Sequence, residues 1–130
     1  MKRNVVDGAA NTVEEFREEC RKVVKRMTDP KQMCKVRMKG TCLIGLLARH
    51  DSLGSSSLYE KYFLGSLHNI CDDFHWEVRK DICKSLIHIS RYIGSSKSHE
   101  YVLKEINYLL DDEEGEVATE AVISFQKHLT

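Results

Sequence analysis

The sequence is short of proline. Pro30 is the only one in 130 residues, beside seven glycines. Proline interrupts helices more strongly than any other residue, so its scarcity permits long ones. Runs of β-branched residues flanked by turn signals are also missing, which leaves no strand to read and predicts an all-α class. No apolar run approaches the ~20 residues of a membrane span. The stretch from Met1 to Gly8 leads into acidic and polar residues and not into an apolar core with a cleavage site. No secretory leader is read there, and a cytoplasmic or nuclear address is expected.

Catalytic signatures are missing too. There is no Gly-x-Ser-x-Gly and no phosphate loop. Cys20, Cys34, Cys42, Cys71 and Cys83 make an odd count without a Cys-x-x-Cys pair. They read as reduced thiols packed as small apolar groups. His68 and Cys71, with His75 nearby, outline a partial metal site that lacks a fourth ligand. The acidic run at 111–116 lacks the alternation of a calcium loop and reads as helix-capping charge. The expectation is therefore no catalytic residue, no cofactor and no metal.

Net charge is zero but uneven. Residues 1–52 hold twelve Lys/Arg against seven Asp/Glu, residues 53–94 five against five, and residues 95–130 three against eight. Such polarity suits charged partners at the two ends, or it is charge scattered over solvated helix faces. The basic residues of the first third raise nucleic-acid binding as a minor alternative. The acidic last third would repel phosphate, so no nucleic-acid partner is expected.

What the chain does contain is helical periodicity. In residues 72–94, Val78, Ile82, Leu86, Ile89 and Ile93 recur three or four residues apart behind Asp72-Asp73, and Gly94 closes the stretch as a left-handed cap would. Five further stripes follow the same rule. Residues 1–11 have no periodicity and read as a loose end. Thr12 to Glu15 form a capping box opening a helix with Val13, Phe16, Cys20, Val23, Val24 and Met27 on one face, ending near Thr28. Asp29 is expected as N-cap with Pro30 at the first helical position, ahead of Met33, Val36, Gly40, Leu43, Ile44 and Leu47. A second capping box at Ser57 to Glu60 precedes Leu58, Tyr59, Tyr62, Phe63, Leu67 and Ile70. Tyr101, Val102, Leu103, Ile106, Leu109 and Leu110 form the fifth helix, and Val117, Ala121, Val122, Phe125 and Leu129 the sixth.

The helices recur in pairs. Aligning the second helices on Val36, Val78 and Val117 gives separations of 42 and 39 residues. Four residues on stand Gly40, Ile82 and Ala121, and directly after the valines stand Arg37, Arg79 and Ala118. Just upstream lie Asp29-Pro30, Asp72-Asp73 and Asp111-Asp112. A period near forty residues with two helices per unit is what α-solenoids show. The acidic turn followed by x-Val-Arg and an apolar-periodic helix resembles HEAT repeats. Residues 72–94 and 109–129 resemble in particular the scaffold and regulatory subunits of type-2A-class serine/threonine phosphatases, those of protein phosphatase 2A and protein phosphatase 4 among them. Ala118 departs from the pattern and interrupts an Asp–Arg ladder.

The expected architecture is thus an α-solenoid of three HEAT-like helix pairs, at about 12–50, 57–94 and 98–130, forming one domain over 12–130 that is a segment of a longer array. Its second helices line one face. Arg37 and Arg79 are expected to reach a carboxylate in an adjacent turn as half-exposed pairs of ~0.5 kcal/mol that set repeat register. Phe74 and Trp76 have two readings: a hydrophobic staple against the preceding helix, or an aromatic anchor at the turn edge. The resemblance implies that the turns within each pair meet other subunits, which singles out Asp29, Asp73, Phe74, His75, Trp76, Glu113 and Glu114. The function expected is a non-catalytic protein-binding scaffold, a regulatory subunit whose partner is a serine/threonine phosphatase catalytic subunit. The rivals are a transport-type adaptor holding a peptide between second helices, and a DNA-binding helical-repeat enzyme of the base-repair glycosylase kind.

Overall fold

A computed structural model describes residues 5–49, 65–92 and 96–129 of the chain. Among the described residues every regular element is a helix: α1 Val5–Met27, α2 Cys34–Arg49, α3 Gly65–Cys71, α4 Trp76–Tyr92, α5 Ser96–Leu110 and α6 Gly115–Leu129. None of these helices is long and apolar enough to cross a membrane.

The most extensive packing joins α2 to α4, and α4 then packs on α6. Helices α1, α3 and α5 each lie against the helix that follows them in the chain, and α4 also touches α5. The stripe of α4 is the centre of this arrangement. Val78, Ile82, Leu86 and Ile89 are all at most 1% exposed, beside Cys83 at 0%. Full burial of such side chains stabilises by about 1.5–3 kcal/mol each. Val24 and Ile44 extend the core toward α1, and Val102, Ile106, Leu109, Val117 and Ala121 extend it through α5 and α6.

Close backbone approach accompanies this packing. A Cβ at Gly45 would meet Ser85 Oγ at 2.8 Å and Ser85 Cα at 3.1 Å, so glycine lets α2 sit directly on α4. Two buried hydroxyls then cross between helices. Ser85 Oγ donates to the Thr41 carbonyl at 2.6 Å, and Ser124 Oγ donates to the Cys83 carbonyl at 2.7 Å. The two donors are 39 residues apart, the same step that separates Val78 from Val117.

Several expectations are corrected. Helix α1 starts at Val5, not Thr12, so residues 5–11 are no loose end. Ala9 and Ala10 have the best helix propensity and no proline stands in the way, so a helix nucleated downstream propagates through them without an apolar stripe. Asp29 does not cap α2. Its carbonyl accepts from Gln32 N–H at 2.9 Å and its Oδ1 from Lys31 N–H at 2.8 Å, a turn with Asp first and Pro second. The carbonyl of Met33 starts α2 instead, which leaves the Met33 side chain 74% exposed. Phe16 at 57% and Phe125 at 38% lie outside the core, because no described helix covers those flanks of α1 and α6. Ser124 takes the buried place beside Ala121. Val78 and Val117 are buried, whereas Val36 is half-buried. Helix α5 begins at Ser96, inside the stretch read as a linker. The capping box at Ser57 and the stripe from Leu58 to Phe63 lie outside the described residues.

Candidate functional site

Two turns of the same construction stand side by side. After α3, the Asp73 amide donates to the Ile70 carbonyl at 3.1 Å, and Asp73 Oδ1 accepts from the His75 amide at 2.9 Å. The carbonyl of His75 then receives the Val78 amide at 3.1 Å and opens α4. After α5 the same steps recur: Asp112 N–H to the Leu109 carbonyl at 3.1 Å, Glu114 N–H to Asp112 Oδ1 at 3.0 Å, and Val117 N–H to the Glu114 carbonyl at 3.1 Å. An aspartate at this place satisfies an amide that the coming helix leaves free.

Each turn is clamped by an arginine from an earlier helix, Arg37 of α2 and Arg79 of α4. Arg37 Nε and Nη2 donate to Asp73 at 2.8 and 3.0 Å, and Arg79 Nε and Nη2 donate to Asp112 at 2.7 and 3.1 Å. These planar, two-pronged contacts need guanidinium and not ammonium. Arg79 Nη1 also donates to the Asp73 carbonyl at 2.6 Å, so one side chain ties both turns together. The pairs are not half-exposed as the sequence suggested. The side chains of Arg37 and Asp73 are 8% and 11% exposed, and those of Arg79 and Asp112 are 13% and 7%. The packed turns and helix starts exclude water where a lone turn would not. Ala118 leaves α6 without an arginine at the matching position.

Between the two turns lies a cleft of about 1090 Å³. Asp73, Phe74, Trp76, Glu113 and Glu114 line it, together with Asp72, Asp111, Asp112, Arg79, His68 and four residues of α5, Lys104, Glu105, Asn107 and Tyr108. Phe74 is 90% exposed, so the staple reading fails for it, whereas Trp76 packs partly against the core. The cleft is strongly acidic, and of its carboxylates Asp73 and Asp112 are already matched by arginines. Tyr108 donates its hydroxyl to Asp72, and its ring meets the His68 ring edge-on at 5.1 Å. His68 Nδ1 in turn contacts Glu105 at 2.9 Å, and that carboxylate is 7% exposed. His68, Lys104 and Tyr108 carry no motif. The only sequence signal for the latter two was the spacing of Lys104, Asn107, Tyr108 and Asp111 along one flank of α5.

Two of the residues singled out from the sequence fall elsewhere. Asp29 belongs to the first turn, outside this cleft. His75 joins Cys34 and Glu77, and the ligand atoms of the three lie within 4.8 Å of one another. The partial grouping of His68, Cys71 and His75 does not assemble among the described residues.

The titration behaviour of the site follows from its contacts. Burial raises the Asp112 carboxyl, but hydrogen bonds from Arg79 and the Glu114 amide, with the Arg79 charge, outweigh it and leave the group below the usual aspartate value. The Tyr108 phenol is raised by its bond to Asp72. Burial, reinforced by Glu105, pushes the Cys71 thiol well up, and burial with Glu120 takes Cys83 to about 12. Thiols raised in this way are poor nucleophiles. Comparison with protein-family models, with curated proteins and with solved structures finds no match.

Proposed function

We propose that the chain is a non-catalytic protein-binding module, built from three HEAT-like helix pairs, that holds a partner in the acidic cleft between its second and third turns. The observation that carries this reading is Phe74. A phenylalanine 90% exposed at the lip of a cleft lined with carboxylates is a costly thing to leave in water, and aromatic anchors dominate interface energetics. The two Arg–Asp clamps support it by holding the cleft walls in one geometry, so a partner meets a preformed surface. The contacts of α2 with α4 and α4 with α6, with bonds repeating at the step of the sequence period, support the solenoid reading.

The partner class proposed is the catalytic subunit of a type-2A-class serine/threonine phosphatase, with this chain as regulatory subunit. It rests on the HEAT-like pattern of residues 72–94 and 109–129. Binding of the purified catalytic subunit, measured by calorimetry, tests it. Phe74→Ala is expected to weaken binding at least about tenfold. No binding by the wild-type chain would remove the phosphatase reading, and unchanged binding by Phe74→Ala would move the contact away from the cleft.

One observation favours the transport-type adaptor as second reading. A cleft of about 760 Å³ lies along α2 and the start of α4, lined by Met27, Met38, Leu43 and Leu46 together with Lys35, Lys39, Glu77 and Asp81. Methionine-rich apolar grooves suit amphipathic peptides.

A further inference from the structure

Cys34 is the first residue of α2, His75 is the residue whose carbonyl opens α4, and Glu77 lies in the first turn of α4. Cys34 is more than forty positions from the other two in the chain, yet Cys34 Sγ, an imidazole nitrogen of His75 and a carboxylate oxygen of Glu77 lie within 4.8 Å of one another. All three are half-buried. We propose that Cys34, His75 and Glu77 form a three-ligand site for a zinc-class divalent cation at the junction of α2 and α4, with the fourth tetrahedral position left to water.

The donor set selects the ion class. A thiolate and an imidazole favour zinc and its chemical relatives over magnesium or calcium, which take oxygen ligands throughout. Three protein ligands with one open position is an arrangement that zinc accepts. The backbone holding these donors is already fixed. Asp73 accepts the His75 amide and is gripped by Arg37, three residues beyond Cys34 on the same helix, so one clamp sets both sides of the site. On binding, the cation takes the Cys34 thiolate, the thiol proton leaves to solvent, and no electron is transferred. Cys34 and Glu77 both line the open cleft along α2, which supplies the entry path.

The experiment is a titration of the reduced, metal-free chain with Co²⁺ alone. One Co²⁺ per chain is expected, with visible absorption of a tetrahedral site and a near-ultraviolet thiolate-to-cobalt band, both removed by Zn²⁺. Cys34→Ser should lose the thiolate band, and Cys42→Ser, which alters an exposed thiol of the same cleft, should keep it. Glu77→Gln and His75→Ala should each weaken Co²⁺ binding by more than the roughly 10–100-fold that loss of an outer partner costs. Zn²⁺ should raise the melting temperature of the wild type and not of Cys34→Ser. Circular dichroism in chelator reports folding. Should His75→Ala fail to fold, the near-isosteric Glu77→Gln carries the test. Absence of the thiolate band in the wild type, its survival in Cys34→Ser, or unchanged affinity in Glu77→Gln would each overturn the site.

Discussion

Arg79 carries more of this molecule's geometry than its place on the flank of an apolar stripe suggests. Its guanidinium holds the Asp112 carboxylate and the Asp73 carbonyl at once, and the Arg79 and Asp112 side chains are both largely shielded from water. Removing it leaves a desolvated carboxylate without its cation. Arg79→Ala is therefore expected to destabilise by about 2–4 kcal/mol, somewhat less than for a fully dry pair because the rim of the clamp still reaches solvent. Urea denaturation measures it. Arg79→Lys should recover only part, since a single ammonium cannot make the two-pronged contact. The same pair sets an acid dependence. Asp112 has its folded value below the unfolded one of ~3.9, so its contribution is fully present above that pH and is lost as pH falls through the folded value. Denaturation midpoints across that acid range should fall less steeply with pH in Asp112→Asn than in the wild type.

At the level of the helix, two glycines separate contact from freedom. Gly45 lies against Ser85 so closely that an added methyl must displace backbone, and Gly45→Ala should destabilise by about 1–3 kcal/mol. Gly115 has nothing within 4 Å and begins α6, so Gly115→Ala should stabilise by about 0.4–1 kcal/mol. Thermal melts of the two variants should move in opposite directions. Much of the helical pattern was legible in the sequence. The spacing of Val78, Ile82, Leu86 and Ile89 located the buried face of α4, because one helix face meets the core whatever its neighbours are. Phe16, Met33 and Phe125 misled, since an apolar residue at the edge of a stripe is covered only if another helix lies there, and periodicity within one helix does not contain that information. Arg37 and Arg79 could be paired with aspartates because their residue types and recurrence announced a fork and a carboxylate. Cys34, His75 and Glu77 were illegible as a group, since only the packing of α2 on α4 brings them together. The contribution of α5 to the cleft was hidden for the same reason.

For the molecule as a whole, charge polarity becomes an interaction property. The free carboxylates of the cleft, Asp111, Glu113 and Glu114, come from the acidic last third of the chain and are exposed. Binding of the proposed partner should therefore weaken as salt rises from low to physiological levels, with the loss mainly in the association rate. The double variant Glu113→Lys with Glu114→Lys should flatten that salt dependence while leaving the melting temperature within a few degrees, since both side chains are exposed. Surface plasmon resonance across a salt series separates the two effects.

The seryl hydroxyls that cross between neighbouring helices have a mechanical consequence. Ser85 pins α4 to the middle of α2, while Arg37, near the start of α2, grips the turn that leads into α4. Two anchors at different heights forbid one rod from slipping lengthwise past the other, yet they permit a small tilt about the line that joins them. Stretching or docking the molecule should accordingly bend this junction long before it shears it.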